Sequence, residues 1–216
     1  ADKKRACREV LPRKGDGMRA YKGFTKELIS RLGNGEKETC CFTPGETKEV
    51  EASKTVSSGF HCCENPFECL AYYAFDGSNR FFIVEAAGDI DEDDDERIAC
   101  TKITLIEELT PFGFAMEGMR YIITHPARKK WQQLRIGVTV ASDRAEAKGR
   151  GCIAIARGEH PSVTGVEGSI LGLIVEKDGK ISGAKLFVVT EEQAGRSYTL
   201  NASRKLEEEV YEKKAC

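Results

Sequence analysis

The feature that most constrains this chain is a repeat near its C-terminal end. Residues 146–155 (EAKGRGCIAI) align with 162–171 (SVTGVEGSIL), an offset of 16 residues that rises to 17 after the first glycine. A repeat of that length holds one strand and one turn. Glycine tolerates the positive φ of tight corners, and alanine suits a cramped interior. From Ile136 onward the texture therefore predicts β-structure. Ile170 to Glu176, Gly183 to Thr190 and Ser197 to Leu200 read as further strands, with a hairpin signal at Lys177-Asp178-Gly179. Lys205 to Lys214 reads as a charged terminal helix, so a terminal helix is expected over 205–216.

The N-terminal half is patterned differently. Arg19 to Phe24 opens as a strand, and Leu28, Ile29 and Leu32 fall at helical spacing before Gly33. Asn65 is a good N-cap, with Pro66 at the first helical position and Phe67, Leu70, Ala71 and Ala74 on one face. Arg80 to Ala87 (RFFIVEAA) is the strongest buried-strand candidate. Ile98 to Leu109 is another strand, with Ile103 and Leu105 alternating against Lys102 and Thr104. Between them, Asp89 to Glu96 holds seven acidic residues in eight. The expected organisation is a flexible leader (1–17), an α+β domain (18–115), a junction (116–135), a β-rich repeat domain (136–204) and the terminal helix. Within the junction, Tyr121-Ile122-Ile123 reads as one more short strand.

Composition excludes several classes. With 40% hydrophobic and 31% charged residues in 216, the chain can build a core without staples. A net charge of −2 gives no general pull toward nucleic acid or anionic lipid. Arg128-Lys129-Lys130-Trp131 reads as a solvated linker, so a nucleic-acid partner is not expected. No apolar run approaches the ~18 residues of a membrane helix, and the first residues lack the apolar core of a secretory signal. Nine cysteines, an odd number, argue for reduced thiols and a cytosolic chain. Vicinal pairs at Cys40-Cys41 and Cys62-Cys63 lack metal-ligand spacing, because neighbours on a strand face opposite ways. No metal is expected. The glycines at 113–118 and 149–151 lack phosphate-loop spacing.

The ordered series Gly59-Phe60-His61-Cys62-Cys63, a helix start, Ala71-Tyr72-Tyr73, then Val84-Glu85-Ala86-Ala87-Gly88-Asp89 resembles the central stretch of ADP-ribosyltransferases, especially their poly(ADP-ribose) polymerase branch. Tyr21-Lys22-Gly23-Phe24 sits where that family has its first strand. The resemblance implies a split sheet and NAD as cofactor. It implies Glu96 as the carboxylate that stabilises a cationic ribose centre. It sets His61 where the family stacks a tyrosine on nicotinamide, and Lys22 where it contacts ribose. Tyr21, Gly23, Phe60 and Tyr72 would complete the cofactor site.

The stretches Tyr21 to Phe24, Gly59 to Pro66, Ile98 to Leu109 and Ala141 to Leu173 together also resemble an uncharacterised class of phage and prophage proteins. Ala141 to Leu173 is similar to the narrow β-roll of trimeric adhesin heads and phage fibres, which implies a homo-oligomer, a trimer by analogy. The expected fold is thus an ADP-ribosyltransferase-like α+β domain followed by an all-β domain of short β-roll, or solenoid, character. Two functions stay open: a nucleotide-binding domain, active or decayed, and a non-enzymatic oligomer that docks a host or phage protein.

Overall fold

The computed structural model describes residues 17–31, 39–51, 59–92 and 97–209. Residues 1–16 of the leader, Glu96 and the end of the chain beyond 209 lie outside them. The described residues are mostly β, 55% strand against 13% helix. It divides into two compact units: Ala1–Glu64 with Phe82–Glu108, and Asn65–Phe81 with Leu109–Cys216. Among the described residues, no helix is long and apolar enough to cross a membrane.

The first unit is a small barrel. Its strands are β1 (Met18–Thr25), β2 (Ile29–Arg31), β3 (Thr39–Cys41), β4 (Thr47–Glu49), β5 (Phe60–Cys63), β6 (Asn79–Glu92) and β7 (Arg97–Glu108). Strands run in the order β7-β5-β1-β6, and β6 pairs back onto β7, which closes the ring. β4 lies on the far half of β7, while β2 and β3 form a separate ribbon. Register shifts between Ile83 and Val84 and between Ala87 and Ile90 bend the long β6–β7 pair. Such bulges add local twist and kink a strand, and here they let four strands curl into a closed ring. At the second shift the Asp89 amide donates to Thr101 Oγ1 at 2.8 Å. Alternation sends Ala20, Phe24, Phe60, Cys62, Phe82, Val84, Ile98, Cys100, Ile103 and Leu105 into one core.

This corrects the expected α+β, ADP-ribosyltransferase-like split sheet. The barrel unit carries no helix among its described residues, and its sheet closes on itself. The residues read as a helix around Leu28 to Leu32 include β2 instead, with Leu28 at φ +58°.

The second unit pairs two helical segments with a sheet. A 3-10 helix, Pro66–Ala71, starts where Asn65 Oδ1 accepts the Phe67 amide at 3.0 Å. Helix α1 (Pro111–Thr124) starts the same way, Thr110 Oγ1 accepting the Gly113 amide at 3.1 Å. The reading of residues 121–123 as a strand is therefore corrected: they lie in the last turns of α1. Phe67, Phe75, Phe81 and Phe114 join the two segments, with centroids of 81 and 114 only 4.5 Å apart.

The sheet holds β8 (Gln133–Arg135), β9 (Val138–Ala147), β10 (Ile153–Gly165), β11 (Ile170–Lys177), β12 (Lys180–Val188), β13 (Ser197–Leu200) and β14 (Leu206–Glu208). β9, β10 and β11 are parallel, and Ile153 stands opposite Ile170, the 17-residue offset of the repeat. Parallel neighbours usually need a long crossover. Here connections 148–152 and 166–169 suffice because β9 turns at Asp143, φ +59°, and β10 shifts register between Arg157 and Ser162. Ala145, Ala147, Ala154 and Ala156 fill the core beneath them.

The β-roll, or solenoid, expectation is corrected as well. The parallel run ends at three strands. β8, β12, β13 and β14 extend the sheet antiparallel, making one mixed seven-stranded sheet. The expected terminal helix is replaced at its start by β14, which pairs with β13; residues 210–216 lie outside the described set.

Candidate functional site

The barrel interior holds the densest chemistry in the first unit. By the alternation of β1, Lys22 shares the inward face of Ala20 and Phe24, and it is only 7% exposed. Its ammonium donates to the backbone carbonyl of His61 at 2.5 Å and lies 5.6 Å from the Phe24 ring centre. A buried ammonium needs acceptors or anions close by. The groups near it are thiols. Cys62 on β5 and Cys100 on β7 both belong to the core, and Cys40 packs against it from β3.

Two of those thiols act on each other. β5 and β7 run antiparallel with Phe60 opposite Cys100 and Cys62 opposite Ile98. Cys62 and Cys100 are thus diagonal neighbours on the inward face, and their side chains hydrogen-bond. That bond pushes the Cys62 thiol well above its ordinary range, and burial adds to the shift. It draws the Cys100 thiol down, with the Lys22 ammonium helping and burial opposing. As a thiol, Cys100 also donates to the Phe60 carbonyl at 3.5 Å. The Cys40 thiol is raised, chiefly by burial.

The sequence-derived residues fall as follows. Lys22 and His61 do meet, yet through the histidine's backbone and not its ring. Tyr21, opposite Cys63 across β1 and β5, is buried, as are Gly23 and Phe60. Phe60 lines the barrel core, so it is a packing residue. Tyr72 caps the 3-10 helix of the other unit and is 57% exposed. Glu96 lies outside the described residues. Phe24 lies beside the Lys22 ammonium, and its ring packs against Phe42 and Phe82, with Phe42 in turn meeting Phe60 in the barrel core. Sequence reasoning placed Lys22 in a site but missed its thiol partners. The signal was present in the opposite facing of Cys62 and Cys63. Cys62 joins the barrel core, and Cys63 is buried outside that cluster.

The second unit offers a surface. β8 and β9 form a tight hairpin, Arg135 opposite Val138, joined through Ile136 and Gly137. Among the described residues β8 pairs with β9 alone, so its other side is a sheet edge there. Leu134 is 83% exposed there and Ile136 69%. Lys129, Lys130 and Arg135, close by in sequence, are exposed as well. Edge strands normally carry charge or bulges that discourage pairing, and they seldom display two large aliphatic side chains.

Among the described residues, no group of three or more His, Cys, Asp or Glu side chains is placed to hold a metal ion. Residues 18–117 match the family model described as a domain of unknown function (DUF7666), a stretch running from β1 into α1. No curated protein matches the chain, and no solved structure matches it.

Proposed function

We propose that this chain is a phage or prophage accessory protein that acts by binding another protein, with the β8–β9 hairpin as its contact edge. One observation carries the reading: two large aliphatic side chains stand exposed at an open sheet edge, Leu134 on β8 and Ile136 in the adjoining turn, with basic residues close by in sequence. An exposed edge recruits an extended segment through main-chain hydrogen bonds, and side-chain pockets set the choice. Two copies joined at this edge bring like charges together at Lys129, Lys130 and Arg135, which costs affinity. A partner segment that alternates apolar and acidic side chains meets both features. The motif series from Tyr21 to Phe24 and Gly59 to Pro66 supports the phage origin.

The test compares the intact chain with a Leu134→Asp, Ile136→Asp double variant of unchanged circular dichroism. Both serve as bait for virion and host proteins. A partner held by the first, lost by the second and weakened by salt supports the reading. Equal retention by both baits ends it. Light scattering on the same samples reports self-association through this edge.

A further inference from the structure

We propose that Cys62 and Cys100 form a reactive dithiol inside the barrel, which reduces a hydroperoxide and closes to a disulfide across β5 and β7. The placement is specific. Both cysteines point inward, two residues out of register on adjacent antiparallel strands, and both belong to the same barrel core. Diagonal positions on a sheet stand ~7–8 Å apart at Cα, and a disulfide needs about 7 Å or less. A small inward shift of the four-residue strand β5 closes that gap. Lys22 supplies the second element. Its buried ammonium acts on both sulfurs, and a nearby cation is what turns a thiol into a thiolate nucleophile. The competing cysteines are placed less well. Cys63 is buried away from the barrel core, and Cys69 and Cys152 belong to the other unit.

The chemistry divides the labour. The Cys100 thiolate attacks one peroxide oxygen; the O–O bond breaks and hydroxide leaves, taking up the proton that Cys100 released. Cys100 is then a sulfenic acid. The Cys62 sulfur attacks the Cys100 sulfur, the S–O bond breaks, and the oxygen departs as water with the Cys62 proton. Two thiols lose two electrons, and hydrogen peroxide becomes two waters.

The experiment treats the folded, reduced full chain with hydrogen peroxide. Intact mass is expected to fall by about 2 Da, and peptide mapping to find the Cys62–Cys100 cross-link. In Cys62→Ala the resolving thiol is gone, so a sulfenic acid at Cys100 is trapped by dimedone. Lys22→Met is expected to slow cross-linking, because the ammonium that helps draw the Cys100 thiol down is gone. A wild-type map in which both cysteines stay reduced while Cys40 or Cys41 oxidises overturns the proposal. That map needs no variant to fold.

Discussion

Arg157 holds the Glu176 carboxylate with two hydrogen bonds of 3.0 Å, Nε to Oε2 and Nη2 to Oε1. Arg157 is only 5% exposed; Nη2 also donates to the Pro126 carbonyl at 2.8 Å, and the Trp131 ring centre lies 5.0 Å from Cζ. Arg157 Nη1 has no hydrogen-bond partner among the described residues. Removing one member of such a pair leaves the other charge buried and unpaired. Glu176→Gln is therefore expected to cost about 3 kcal/mol of unfolding free energy. That is the low end for buried pairs, because the Glu176 side chain keeps 25% of its surface in water. Replacing both, Arg157→Met with Glu176→Leu, is expected to recover most of the loss. Urea unfolding of the three proteins decides the point.

Gly118 tests packing against propensity. Alanine in a helix interior gains about 1 kcal/mol over glycine. Here a Cβ at 118 meets Phe67 Cζ at 2.1 Å, and Phe67 is fully buried against Phe114, with ring centroids 5.5 Å apart. The ring cannot yield without disturbing its neighbours, and overpacking costs about 1–3 kcal/mol or more. Sterics win, so Gly118→Ala lowers stability by about 2 kcal/mol net of propensity. Adding Phe67→Leu to that variant restores part of it. A thermal or urea midpoint for Gly118→Ala at or above wild type refutes the argument.

Much of this was readable from the chain, and the limits were physical. The buried strand at 80–87, the Asn65-Pro66 helix start and the strand content of the repeat follow from local pattern, whereas the mixed sheet that replaces the expected β-roll does not. Thr110-Pro111 carries the same capping signature as Asn65-Pro66, so α1 was legible too; Gly113 and Gly118 disguised it as a junction. Barrel closure was not legible. It depends on two bulges in β6–β7, and a register shift leaves little trace in composition. The site shared that fate. Lys22 and Cys62 are 40 positions apart and Cys100 lies 38 further on, so only the closed ring brings them together. Leu134 and Ile136 looked like ordinary apolar residues until the sheet left β8 and its turn on an edge.

Lys22 also makes a stability prediction of unusual sign. Its ammonium is buried with one carbonyl acceptor, and its other close neighbours are apolar rings and thiols. Burying such a charge costs free energy that one hydrogen bond offsets only in part. A methionine of similar length fills the same space without the desolvation cost. Lys22→Met should leave the unfolding free energy unchanged or raise it by about 1 kcal/mol. A loss of more than about 2 kcal/mol in urea unfolding means the ammonium holds the barrel together.

Gly137 connects stability to the proposed contact edge. It sits at φ +76° in the turn between β8 and β9, and a Cβ there meets the Phe75 carbonyl oxygen at 2.1 Å. The left-handed backbone alone costs an ordinary residue about 1 kcal/mol. The clash is with backbone, which cannot swing aside as a side chain would. Gly137→Ala must therefore displace the hairpin, and with it Leu134 and Ile136. It is expected to lower the unfolding free energy by at least about 2 kcal/mol and to weaken partner retention as well. Leu134→Asp alters only an exposed side chain, so it should weaken retention while moving stability by less than about 0.5 kcal/mol. Measuring both quantities on both variants separates the shape of the edge from its apolar surface. If Gly137→Ala loses stability yet holds its partner as tightly as wild type, the contact does not run through this hairpin.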